Sequence, residues 1–243
     1  MVGIGPGGKQ DRTHRAEAAI LASDVVAGYT RYLEHIRDLT DGKQLISSGM
    51  RQETERCIAA LNAAQAGATV ALISSGDAGI YGMAGLALEL AHASGSGIAI
   101  EIVPGVSAAQ TAAARLGAPL TLDYACISLS DLLVPWETIR TRLAAVAAAD
   151  LVTALYNPRS TKRVTQLEEA VAIFREHRPG TTPVGIGVDL GSADERVCLT
   201  DLEHLLDQEV DMRTVVVIGN RTTRDLAGWM VTPRGYERKR DEG

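Results

Sequence analysis

Three glycine-bearing segments could bring main-chain amides and carbonyls close to a polar ligand. Residues 2–8 read VGIGPGG, residues 74–85 read SSGDAGIYGMAG, and residues 104–110 read PGVSAAQ. Glycine permits positive φ and close approach of a second backbone. In the second segment, Asp77 is expected near the N-terminus of the following helix, where the dipole favours a carboxylate; a plain helix cap is the alternative. Gly3, Gly5 and Gly8 satisfy the G-x-G-x-x-G spacing of a dinucleotide site. Such a site also needs a full strand before the glycines and an acidic residue ending the second strand. Here Pro6 sits in the turn, and Asp24 precedes the second strand rather than following it. A tight turn, a nicotinamide site and a ligand lying against exposed backbone all stay open for this segment.

Four more segments carry polar or charged groups. Residues 127–136, ISLSDLLVPW, offer Ser128, Ser130 and Asp131; residues 155–160, LYNPRS, end a strand at Asn157-Pro158 and place Arg159 to meet an anion. Arg221 and Arg224 follow a strand in VIGNRTTR, and Arg234 lies in TPRGY. Each arginine alone reads as a solvated surface charge. Several at strand ends of an acidic chain suggest a polycarboxylate ligand, because guanidinium matches carboxylate bidentately.

The elements that must position these groups alternate between strand and helix patterns. In the first half, helices are expected over residues 12–22, 29–39, 51–66 and 81–93, with strands at 24–27, 43–46, 69–73 and 98–103. Gly67 is placed to end the third helix, and Ser107 to cap one running to Arg115. Gly117 and Pro119 mark a break, giving expected domains of residues 1–117 and 118–243. The second half adds strands at 125–128, 151–156, 184–188, 196–199 and 214–218, and helices at 136–149 and 161–177. Residues 200–203, TDLE, have capping-box spacing. The charged end, residues 238–243, is expected to fray. The order implies an α/β fold of two α/β domains, mostly parallel in the first half, with a ligand cleft between them.

Composition narrows the function classes. The chain has 243 residues, 46% hydrophobic and 22% charged, an ordinary globular mix. Aromatics are only 4%, with Phe174 the one phenylalanine, so the core must be built from Ala, Val, Leu and Ile. Lys and Arg total 24 against 30 Asp and Glu, a net charge of −6. This argues against a general nucleic-acid coat, which needs a basic surface. Cys57, Cys126 and Cys198 have no metal or disulfide spacing and read as reduced thiols in or near the core. The longest charge-free stretch, residues 57–76, carries Asn62, Gln65 and Gly67 and reads as helix, turn and strand rather than a membrane span. A cytoplasmic protein without metal, membrane or nucleic-acid partner is the expectation.

Taken in order, VGIGPGG, GYTRY (residues 28–32), SSGDAGIYGMAG, PGVSAA, SLSDLLVPW, YNPRS, GNRTT and TPRGY resemble the tetrapyrrole methylases of cobalamin biosynthesis. The likeness covers essentially the whole chain. GDAGIYGMAG, SLSDLLVPW and YNPRS point to the branch that methylates C17 of precorrin-3B or cobalt-factor III with ring contraction. The resemblance implies two α/β domains, a homodimer and S-adenosylmethionine as cofactor, leaving as S-adenosylhomocysteine. Matched residue by residue, it places the cofactor at Pro6, Gly76, Asp77, Ile80, Ser107 and Ala108, then Tyr156 and Leu190. The tetrapyrrole side chains are expected at Arg159 and Ser128. Ring contraction needs acid–base help, for which Asp131, Ser130 and Tyr29 are the candidates, followed by His14. Alternatives are another precorrin methyltransferase of the family, a nicotinamide oxidoreductase and a tetrapyrrole-binding carrier.

Overall fold

The computed structural model describes residues 1–236, so the run expected to fray lies outside the described residues. Two compact units are present, residues 1–108 with 191–193, and residues 109–190 with 194 onward.

The first unit runs β1 (Val2–Gly3), α1 (His14–Leu21), β2 (Val25–Tyr29), α2 (Thr30–His35), β3 (Gln44–Ser48), α3 (Glu53–Gln65), β4 (Val70–Ser74) and α4 (Ala84–Ala93). Its sheet has the order β1-β4-β2-β3, and every pairing is parallel. Parallel neighbours need long crossovers, which the helices supply. Side chains alternate between the two faces. Val26, Ala71 and Ile73 pack with Ile20, Leu33 and Ile36, while Ala27 and Leu72 pack with Cys57, Ala60, Met83 and Ala87. The charge-free stretch divides between α3 and β4, and Gly67 turns the chain at φ +98°.

The second unit takes most of α5 (Ala108–Leu116), then β5 (Gly117–Ala118), β6 (Tyr124–Ser128), α6 (Trp136–Ala148), β7 (Val152–Tyr156), α7 (Thr165–Arg175), β8 (Pro183–Val188), β9 (Arg196–Asp201), β10 (Thr214–Ile218), β11 (Arg224–Leu226) and β12 (Trp229–Val231). Its main sheet has the order β6-β7-β10-β8-β9, parallel only between β6 and β7. A small sheet joins β11, β12 and β5. Aliphatic side chains dominate the core, with Phe174 fully buried among Leu143, Leu155, Leu167 and Ile186. Arg178 is buried beside Phe174, its guanidinium carbon 4.7 Å from the ring centroid, and it donates to the carbonyls of Leu151 and Gly219. Burial pulls its pKa down to about 10, against the opposing charge of Asp150.

Several elements differ from the sequence expectation for identifiable reasons. The strand expected at 98–103 is a single bridge, Val2 to Val103, because its partner β1 is two residues long. The helix expected from residue 81 starts at Ala84. Residues 78–83 are turns and bends, with Tyr81 at φ +53°. The helix expected from residue 161 starts at Thr165, since the Ser160 hydroxyl binds the Arg163 amide in a turn. No α-helix follows the capping-box spacing. β9 continues through Asp201, whose carboxylate accepts from the Glu203 and His204 amides before a short 3-10 turn. Cys198 lies exposed on the edge strand β9, outside the core. The first compact unit ends at residue 108 rather than 117. The reason is packing: a Cβ on Gly185 of β8 would collide with the Leu116 side chain, which seats α5 on the second sheet.

In the first unit, Arg12, 2% exposed at its side chain, binds Asp38 with two bonds of 2.9 and 2.7 Å. The Arg12 guanidinium, with Lys9 behind it, holds the Asp38 carboxyl at about 2 rather than 3.8. A depressed acid stabilises the fold above its unfolded pKa and loses that contribution as pH falls through the folded one. Asp38→Asn is therefore expected to cost about 1–2 kcal/mol near neutrality, discounted for the exposure of the carboxylate. In urea unfolding, the gap between wild type and variant should hold steady above about pH 5 and close between about pH 4 and 2.

Candidate functional site

The three glycine bends meet at the carboxyl edge of the first sheet. Parallel pairing sets Val2 beside Ile73 and Gly3 beside Ser74. Just past the strand ends, Gly5 and Gly76 exchange two backbone bonds, 3.1 and 2.7 Å. A Cβ on Gly3 would fall 2.7 Å from the Gly105 amide nitrogen and 2.8 Å from the Gly76 oxygen. One on Gly105 would overlap that same Gly76 oxygen. Main chain therefore rests directly on main chain at a separation only glycine allows.

Asp77 fastens these bends. Its Oδ1 accepts from the Gly79 amide at 2.7 Å and its Oδ2 from the Gly105 amide at 2.9 Å. It does not cap α4, which begins seven residues later, so the helix-cap alternative falls. Gly76, at φ +64°, faces the start of α5: a Cβ there would lie 3.8 Å from Ser107 Cα and Ala108 N. Pro6 is half-buried beside Gly5, Ile80 is 40% exposed, Ser107 is buried and Ala108 half-buried. The loops that carry these six residues thus converge. Two supports behind the first bend escaped the sequence reading. His35 Nδ1 lies 2.8 Å from the Gly7 carbonyl, so this nitrogen carries the donated proton. A Cβ on Gly191 would fall 2.7 Å from Gly8 N. No local pattern marks His35; the Leu190-Gly191 pair closing a strand was the one available signal for the second.

The dinucleotide alternative fails on Asp24. Its carboxylate accepts from the Thr69 amide at 2.8 Å, at the start of β2, and β2 ends at Tyr29, followed by Thr30, without an acid. Tyr29 stands at the carboxyl edge of β2, edge-on to Tyr32 with centroids 5.1 Å apart. His14 opens α1 and is exposed.

The second unit gathers a separate polar group at the carboxyl ends of β6 and β7. Their parallel register sets Ser128 beside Tyr156, so both following loops leave the same edge. Leu129, fully buried, donates its amide to the Tyr156 carbonyl at 2.9 Å and roots the first loop. Ser128 Oγ accepts from the Ser130 amide at 3.2 Å and from Asn157 Nδ2 at 3.1 Å. Asp131 Oδ2 accepts from Gln166 at 2.9 Å. Arg163 donates through Nε to the Asn157 carbonyl at 3.1 Å and through Nη1 to Ser130 Oγ at 3.5 Å. Burial pulls its pKa down, and the charge of Asp131 opposes that. Arg159 pairs with Glu168 at 3.2 Å, and its Nε is buried without a hydrogen-bond partner. The Tyr156 hydroxyl accepts from the Ala109 amide at 3.0 Å, in the first turn of α5. The Leu190 side chain is buried over Gly187 of β8. Arg163 and Gln166 were missed because a basic RSTKR stretch followed by a helix reads as solvated surface.

The proposed convergence of strand-end arginines is corrected by topology. β10 runs antiparallel to β7, with Ile218 opposite Thr153. Arg221 and Arg224 therefore follow β10 at the end of the sheet opposite Arg159. Arg221 is held there by Asp150 and the His177 carbonyl. Among the described residues, no His, Cys, Asp and Glu group is arranged to hold a metal.

Residues 1–206 match the model of the Tetrapyrrole (Corrin/Porphyrin) Methylases. The chain is 45% identical over 236 residues to a probable cobalt-factor III C(17)-methyltransferase of Salmonella typhimurium, covering 97% of this chain and 98% of that one. It is also 45% identical over 243 residues to the cobalt-factor III methyltransferase of Priestia megaterium, covering 98% of this chain and 45% of that longer relative. The crystal structure of the methyltransferase CobJ superposes with a TM-score of 0.89 at 34% identity, covering 96% of this chain and 98% of that one.

Because backbone cannot move aside for a Cβ, Gly105→Ala should cost about 3 kcal/mol or more. Asp77→Ala strands two amide donors and should cost about 2 kcal/mol. Urea unfolding at neutral pH reads both, and a Gly105→Ala protein as stable as wild type would mean that the bends do not touch.

Proposed function

Since the chain belongs to the tetrapyrrole (corrin/porphyrin) methylase family, we propose that it is a precorrin-3B C17-methyltransferase, acting on precorrin-3B or cobalt-factor III in cobalamin biosynthesis. The observation that carries the cofactor assignment is the main-chain contact of the three bends, which sets Gly76 against Ser107 and Ala108. A flat nucleoside suits a slot walled by backbone and small residues.

S-adenosylmethionine supplies an electrophilic methyl group on a sulfonium. In-line displacement at that carbon asks the protein chiefly for alignment and exclusion of water. Pro6, Gly76, Ile80, Ser107 and Ala108 do the aligning in this proposal. Asp77 acts behind them, since both its oxygens are spent on backbone amides. Tyr156, its hydroxyl committed to Ala109, and Leu190, its side chain buried, are the further candidates for contact with this cofactor. Arg159 and Ser128 take the acetate and propionate groups of the macrocycle. Ser130 and Asp131, with Tyr29, are the acid–base candidates for ring contraction. The same proposal includes a homodimer in the cytoplasm. No helix among the described residues is long and apolar enough to cross a membrane.

Titration calorimetry should show S-adenosylhomocysteine binding and no NADH binding, with Asp77→Ala weakening the nucleoside about 10-fold or more. Incubation with methyl-labelled S-adenosylmethionine should carry label into precorrin-3B or cobalt-factor III, and mass spectrometry of the product tells which is taken. Label that stays wholly in the cofactor, with tetrapyrrole still bound, would leave a carrier instead.

A further inference from the structure

Arg163 ties together both loops of the second unit's polar edge. It is 9% exposed, its Nε reaches the Asn157 carbonyl after β7, and its Nη1 reaches Ser130 Oγ after β6. A buried guanidinium is costly to desolvate, so its placement demands a compensating use. Asp131 lies within charge reach but gives it no hydrogen bond; its Oδ2 is held by Gln166.

The direction of the Ser130 contact carries chemical information. A guanidinium has donors only, so Ser130 Oγ must accept from Arg163. The hydroxyl hydrogen is then left to point elsewhere. Among the described residues, Ser130 makes no other side-chain bond; its amide binds Ser128 Oγ. We propose that Arg163 is a positioning residue that makes Ser130 a hydrogen-bond donor toward a substrate oxygen bearing negative charge, a carboxylate or carbonyl of the macrocycle. The adjacent cation draws electron density from the hydroxyl and strengthens its donation. At 3.5 Å the contact is long, as catalytic hydrogen bonds often are before substrate tightens them. Arg159 is the poorer choice for this task, being half-exposed and paired with Glu168.

This inference rests on the methyl-transfer reading above, and its test separates the two. Ser130→Ala, Arg163→Gln, Arg163→Lys and the double variant Ser130→Ala/Arg163→Gln are assayed for kcat, for KM of the tetrapyrrole and for S-adenosylhomocysteine affinity. Losing a positioned donor should lower kcat about 10- to 100-fold in Ser130→Ala and in Arg163→Gln. If Arg163 acts through Ser130, the double variant is no slower than Arg163→Gln alone. Arg163→Lys, which keeps the cation, recovers part of the loss, and nucleoside affinity stays within about 2-fold throughout, since neither Ser130 nor Arg163 is among the residues proposed to hold that ligand. Losses that multiply in the double variant, or that appear only in KM, would overturn this role while leaving methyl transfer intact. A wild-type protein without turnover would overturn the activity and this role with it.

Discussion

The structure of the first unit depends on one contact, the close seating of Gly3, Gly76 and Gly105 against one another. Backbone atoms meet there at distances that any side chain would forbid. Such a contact has little apolar area to stabilise it, so it relies on hydrogen bonds for its geometry. Gly5 and Gly76 supply two, and the Asp77 carboxylate supplies two more across the second and third bends. A charged acceptor for amide donors is stronger than a neutral one. The parallel sheet below makes the arrangement possible by delivering β1 and β4 side by side with their carboxyl ends together.

The second unit solves a similar problem differently. Only β6 and β7 run parallel in its sheet, and only there do two consecutive crossover loops leave one edge together. Those loops are held by side chains instead of by apposed backbone: Asn157, Arg163 and Gln166 each reach across to Ser128, Ser130 or Asp131. A side-chain network of this kind is adjustable and directional, which suits recognition of a polar, many-armed substrate. The backbone bends of the first unit are stiff and largely indifferent to side-chain identity, which suits a ligand of fixed shape.

Asp77 shows how function and structure were entangled in the sequence. Its position after a strand and among glycines marks it equally as a helix cap or a ligand contact. The structure removes the cap, because α4 starts late, and gives each of its two oxygens an amide donor. The strand-end arginines make the converse point. They look equivalent as residues that follow strands, yet strand direction separates Arg221 and Arg224 from Arg159 by the length of the sheet.

The sequence alone determined the alternation of helices and strands, the aliphatic make-up of the core and the three glycine bends, because periodicity, composition and glycine content need no tertiary contact. It also determined the family, since several long strings recur in order. Only the tertiary structure decided strand direction and which donor meets which acceptor. Hydrogen-bond partners such as Asp77 and Gly105, His35 and Gly7, or Arg163 and Ser130 are 28, 28 and 33 residues apart in the chain. Separations of that size leave no trace in a local pattern; they exist only once the chain has closed on itself.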